Sequence, residues 1–107
     1  MTNLTFIENF NQQLNNLPNS LTHLILCSNF RMSLEDLPNS LKYIDLGSCC
    51  INSKLNNLPN SIEHIILPYN YQLEINKLPN NLKIIECDEE YIYINELKKL
   101  NIKLDTY

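Results

Sequence analysis

Little in this chain would tie it to a membrane, a nucleic acid or an export route. No apolar run approaches the roughly 20 residues that a bilayer-spanning helix needs. The formal charge is −4, with 8 Lys and Arg against 12 Asp and Glu, and the basic residues are scattered. Neutralising phosphates takes a basic face, so neither nucleic acid nor an anionic membrane surface is expected as a partner. The start, Met1-Thr2-Asn3-Leu4, has neither the basic nor the apolar region of a secretion signal. An intracellular location, cytoplasmic or nuclear, is therefore expected. Asn3-Leu4-Thr5 has the form of a glycosylation sequon, which without export reads as ordinary sequence. The cysteines Cys27, Cys49, Cys50 and Cys87 form no C-x-x-C, and adjacent Cys49 and Cys50 are poorly placed to bridge each other. Reduced thiols follow.

What the chain does have is apolar material and a repeat. A hydrophobic fraction of 44% in 107 residues suits one folded domain and disfavours global disorder. One phrase recurs four times, as Leu17-Pro18-Asn19-Ser20-Leu21, Leu37-Pro38-Asn39-Ser40-Leu41, Leu58-Pro59-Asn60-Ser61-Ile62 and Leu78-Pro79-Asn80-Asn81-Leu82, at spacings of 20, 21 and 20 residues. That period is too short for paired-helix repeats. The proline fixes φ and discourages helix, so each coil is expected to enter its strand in an extended form. An L-x-x-L-x-L pattern follows each phrase: Leu21, Leu24, Leu26; Leu41, Ile44, Leu46; Ile62, Ile65, Leu67; and Leu82, Ile85, Cys87. Alternation over the last two positions is the strand period and sends those side chains to one face. Phe10 and Leu14, Phe30 and Leu34, Ile51 and Leu55, and Tyr71 and Ile75 match in the other half of each coil, with one extra residue near Cys49-Cys50. The apolar groups of one coil cannot offset the entropy of ordering it, so coils must stack and share their faces.

The strand pattern resembles the leucine-rich repeat, whose signature L-x-x-L-x-L-x-x-N/C is met from Leu21 to Asn29 and from Leu41 to Cys49. The closer resemblance is to its FNIP subfamily, known from social amoebae and from large viruses of protists. Phe6-Ile7-Glu8-Asn9-Phe10-Asn11-Gln12 is similar to that family's Phe-Asn segment, and Leu46-Gly47 to its glycine segment. The fold so implied is an α/β-class leucine-rich-repeat solenoid, β-rich with little helix. It is a short right-handed superhelix with a parallel concave sheet of about five to six strands. A single domain over residues 1–107 is expected, with degenerate end coils at about 1–16 and 88–107. A polar ladder is expected in the turns, through either of two columns: Asn9, Asn29, Cys49, Asn70 and Glu90, or the family's Asn11 column, where Arg31 and Gln72 replace asparagine. The ends are expected to be closed by Leu4, Phe6 and Phe10 on one side and by Tyr91, Tyr93, Ile102 and Leu104 on the other. With no polar capping helix apparent, end-to-end or strand-exchanged homodimers are expected.

The candidate site is the solvent-facing side of the sheet. One column there reads His23, Tyr43, His64, Ile84, and its neighbour reads Ile25, Asp45, Ile66, Glu86. Thr22, Lys42, Glu63 and Lys83 flank them, and Pro68 and Tyr69 add apolar area further along. Aromatic and aliphatic side chains on an open sheet suit a protein partner; they also stabilise a sheet by pairing across strands. His23 and His64 lie two strands apart, about 9–10 Å, with Tyr43 between, a poor geometry for zinc. Ser20, Ser40 and Ser61 recur at structural positions and read as turn residues, not as triad nucleophiles. No enzyme activity, cofactor or metal is expected. The run Glu86, Asp88, Glu89, Glu90 reads as a solvated end face, with Lys98, Lys99 and Lys103 close by to neutralise it. The expected function is protein–protein interaction through the sheet. Family members often carry an F-box, which implies substrate recognition in ubiquitin ligation as one alternative; this chain has no room for that segment. A structural repeat without a dedicated partner is the other.

Overall fold

The computed structural model describes residues 3–5, 17–26, 34, 37–47 and 54–107. Six short strands form one sheet in sequence order: β1 Asn3–Thr5, β2 His23–Ile25, β3 Tyr43–Asp45, β4 His64–Ile66, β5 Ile84–Cys87 and β6 Lys103–Thr106. Every neighbouring pair is parallel. Parallel neighbours need a return connection, and the recurring coil supplies it. The chain is thus a solenoid with one strand per turn.

The register follows the repeat. Leu24, Ile44, Ile65 and Ile85 are directly paired across β2 to β5, and each is wholly buried. Leu26, Leu46, Leu67 and Cys87 form the next inner column, at most 1% exposed. Strand alternation therefore sends the aliphatic column inward and leaves the residues on either side of it facing out. Burial in the low-dielectric core, helped by Asp88, raises the pKa of the Cys87 thiol, which acts as a small apolar group. Tyr71 and Tyr91 continue the core on the far side of the coil, buried and stacked with ring centroids 6.2 Å apart.

The proline phrase is a tight turn and not the extended approach expected. In each copy the proline carbonyl accepts the N–H three residues on: Leu21 at 3.1 Å, and Leu41, Ile62 and Leu82 at 3.2 Å. Proline lacks an N–H but keeps its carbonyl, and the pair that follows, Asn-Ser in three copies and Asn80-Asn81 in the fourth, favours a turn. The fifth proline does the same, with Pro68 accepting from Tyr71 at 3.1 Å.

The serines do more than turn the chain. Ser40 Oγ donates to the Leu21 carbonyl at 2.6 Å and Ser61 Oγ to the Leu41 carbonyl at 2.7 Å, each reaching the preceding coil. Side-chain amides extend this coil-to-coil bonding. Asn56 Oδ1 accepts from the Asn76 N–H, Asn60 Oδ1 from the Asn80 N–H, and Gln72 Oε1 from the Ile92 N–H. Gln72 also donates to the Glu90 carbonyl. Of the two columns considered for the ladder, the one in register with Asn11 is described at Gln72, which reaches the next coil but is exposed. Asn70, in the other column, is exposed and holds φ at 62°. Its short polar side chain suits a left-handed turn, and the buried ladder role does not apply to it.

The last coil differs from expectation in one element. A short helix, α1, spans Ile94–Lys98 ahead of β6. Ile94 and Leu97, three residues apart, fall on one helical face; Leu97 is buried and Ile94 packs against the core. Glu96 in its first turn and Lys98 in its last suit the helix dipole. In this last coil Tyr91 is buried, and Tyr93, Ile102 and Leu104 pack against the core beside α1, whose Asn95, Glu96 and Lys98 face outward. Expectations for Phe6, Asn9, Phe10, Asn11, Leu14, Asn29, Phe30, Arg31 and Ile51, and for Cys27, Cys49 and Cys50, lie outside the described residues, as does the side chain of Leu4. Among the described residues no helix is long and apolar enough to cross a membrane.

Candidate functional site

The strand register brings the candidate residues together as two adjacent columns. His23 pairs with Tyr43, Tyr43 with His64, and His64 with Ile84. Ile25 pairs with Asp45, Asp45 with Ile66, and Ile66 with Glu86. His23 is exposed and the other members of the two columns are half-buried. Both columns run one strand further than the sequence reading took them, to Lys103 and Asp105 on β6. The step from Ile84 to Lys103 is 19 residues, one short of the usual period, and that slip hid the continuation. At the other end β1 sets Asn3 beside His23.

Tyr43 is the centre of the first column. Its ring lies 5.4 Å from the His23 imidazole and 4.9 Å from that of His64, the latter edge-on at 73°. Such edge-on contacts place a positive ring edge against a negative face. The Tyr43 phenol is held above its ordinary pKa by burial first and then by the Asp45 and Glu86 carboxylates. His64 Nε2 is 2.6 Å from Glu86 Oε2, a diagonal pair on neighbouring strands. Thr22 Oγ1 and His23 Nδ1 are 2.9 Å apart.

Asp45 is tied to the end of its own strand, accepting the Gly47 N–H at 2.9 Å. A Cβ on Gly47 would stand 3.1 Å from that carboxylate oxygen and 3.4 Å from Ile66 Cγ2. Glycine there leaves both column residues in place. Along the near flank, Glu63 sits between Lys42 at 3.4 Å and Lys83 at 3.3 Å. The two lysines, Lys83 first, hold the Glu63 carboxyl below its usual range. The pairs are solvent-exposed and order the surface more than they stabilise it.

Two expectations about this surface need correction. Pro68 is buried and adds no exposed area, whereas Tyr69, 63% exposed, stands in the turn beyond β4 and outside the two columns. Its N–H reaches the Gly47 carbonyl at 3.2 Å. The acidic run is not a uniformly solvated face either. Glu86 pairs with His64, and buried Asp88 accepts the Glu90 N–H at 2.9 Å. Of the lysines close by, Lys99 pairs instead with Glu96 and Lys103 with Asp105.

Comparison with known proteins agrees with this architecture. No curated protein matches the sequence. Among solved structures, CroV588, described as a novel circular leucine-rich-repeat protein, is similar with a TM-score of 0.56 and 24% identity. The likeness covers all of this chain and 24% of that one, so the chain spans about a quarter of its length. It shows a leucine-rich-repeat fold, an architecture generally used for protein–protein interaction. The FNIP repeat model matches residues 10–49 and 52–87, well over half of the sequence, and the chain belongs to the FNIP-repeat family.

Proposed function

We propose that the protein binds a protein partner across the solvent-facing side of its sheet. The observation that carries this reading is the pair of in-register columns, His23–Tyr43–His64–Ile84 and Ile25–Asp45–Ile66–Glu86, exposed at His23 and half-buried elsewhere on a hydrogen-bonded sheet. Tyrosine and isoleucine offer contact area at low conformational cost, while Asp45, Glu86 and the histidines fix polarity along the surface. A partner would cover Tyr43 and Ile66 and leave the Lys42–Glu63–Lys83 flank at its rim.

The test is affinity capture from extract of the native host with the wild-type chain, with Tyr43→Ser/Ile66→Ser, and with Lys77→Ala as a control away from the sheet. The expected result is a partner retained by wild type and by the control but lost by the double variant, whose circular dichroism stays native. Equal capture by all three refutes a role for the sheet.

A further inference from the structure

Away from the sheet face, the irregular side of the last two coils forms an open cavity of about 260 Å³. That is below the range of about 300–1,000 Å³ typical of drug-sized ligands, and suits a single side chain. Tyr91 and Tyr93 wall it, Ile75 and Leu97 supply apolar lining, and Glu74 and Glu96 bring two carboxyl groups. No lysine or arginine lines it.

The walls are held in place. Tyr91 is 2% exposed, donates its hydroxyl to the Leu73 carbonyl at 2.6 Å, and stacks on Tyr71. Tyr93 meets it edge-on, with centroids 5.8 Å apart. Leu97 is fixed by α1. Burial first, and then the neighbouring Tyr71, Cys87, Tyr93 and Glu74 groups, keep the Tyr91 phenol protonated well above its ordinary pKa.

These features select a class of occupant. An anion would meet two carboxylates. A neutral apolar group would offer neither carboxylate a partner. A cation on an apolar stem suits this lining, through the half-buried Tyr93 ring, the carboxylates and aliphatic contact. Among the described residues no cation pairs with Glu74. Glu96 has only Lys99, at 3.6 Å with both side chains about two-thirds exposed, a contact weak enough for a second cation to displace.

We propose that this cavity receives the cationic head of a basic side chain, lysine or arginine, presented by a protein partner. Its stem lies against Ile75 and Leu97, and its head reaches Glu74, Glu96 and the Tyr93 ring. This site is independent of the sheet surface and stands or falls apart from it.

The experiment is an amide NMR titration of the full chain with N-acetyl-arginine amide and N-acetyl-lysine amide, and with neutral N-acetyl-norleucine amide for comparison. Saturable shifts are expected at residues 74–76 and 91–97 for at least one basic probe, in the millimolar range, and weaker with added salt. The neutral probe should leave them unmoved. Glu74→Gln and Tyr93→Leu should each weaken binding by about two- to fivefold. Equal response to norleucine amide, indifference to salt, no saturable shift at these residues, or wild-type affinity in Glu74→Gln would each overturn the proposal. Should Tyr93→Leu fail to fold, Glu74→Gln still decides, because it exchanges an exposed carboxyl for its neutral isostere.

Discussion

The coil-to-coil bond from Ser61 gives a sharp test of how the stack is held. Ser61 Oγ lies 2.7 Å from the carbonyl of Leu41, a residue with no solvent exposure. In Ser61→Ala the local turn survives, because its bond joins the Ile62 N–H to the Pro59 carbonyl and needs no hydroxyl. What is lost is the link between coils. A net hydrogen bond contributes about 1 kcal/mol, and a carbonyl left unsatisfied in a buried place costs about 1–3 kcal/mol. In a domain near 100 residues, 1 kcal/mol moves the Tm by roughly 4–8 °C. Ser61→Ala should therefore melt at least about 4 °C below wild type, followed by far-ultraviolet circular dichroism. Ser61→Thr keeps the hydroxyl and should retain most of the stability. The Ser40 bond to Leu21 bridges a different pair of coils, but Ser40 adjoins Leu41, the acceptor of Ser61, so the double alanine variant should depart from simple addition. A Ser61→Ala melt within a degree of wild type would show that the serine serves only the turn.

Two further outcomes follow from burial. Ile65→Ala should cost about 2–5 kcal/mol, whereas Ile66→Ala, one residue on but facing solvent, should cost much less; chemical denaturation midpoints that coincide would contradict the register. Stability should also fall between about pH 10 and pH 12, because the folded chain holds the phenols of Tyr71, Tyr91 and Tyr107 above their ordinary 10.0, Tyr107 being pushed up to about 12, all chiefly by burial. The unfolded chain releases those protons first, so the native state loses ground through that window and not below it; denaturant midpoints that stay level up to pH 12 would refute this.

The period was legible because whole side-chain types recur, and because strand alternation turns a recurrence into columns with one answer for which face is inside. Leu24, Ile44, Ile65 and Ile85 admitted no other register once His23 and Tyr43 had to share a face. The Asn-Ser turn was masked by the proline before it, whose fixed φ says nothing about its carbonyl, the group that closes the turn. The role of Ser40 and Ser61 was hidden because their acceptors lie 19 and 20 residues away. Helix α1 escaped notice because five residues with Ile94 and Leu97 three apart fit a degraded strand phrase as well as one helical turn and a half. The cavity beside Tyr93 depends on that helix, and no spacing pattern announces it.

A repeat protein is its own comparison set, and that bears on where function resides. Positions 24, 44, 65 and 85 carry Leu, Ile, Ile and Ile, all with no exposure. Packing into a shared interior imposes one chemistry on them. One residue earlier in each strand the same backbone carries His, Tyr, His and Ile, and one residue later Ile, Asp, Ile and Glu. Sheet stability alone would be served by β-branched and aromatic residues at every one of these outward places. Instead, Asp45 and Glu86 interrupt the apolar column, and each needs a local partner, the Gly47 N–H and His64, to hold it there. Within the strands, a uniform inward column beside two varied outward ones is what the proposed partner surface would need in order to distinguish one partner from another. If the outward columns served the sheet alone, Asp45→Val and Glu86→Val would stabilise the fold without cost to partner capture.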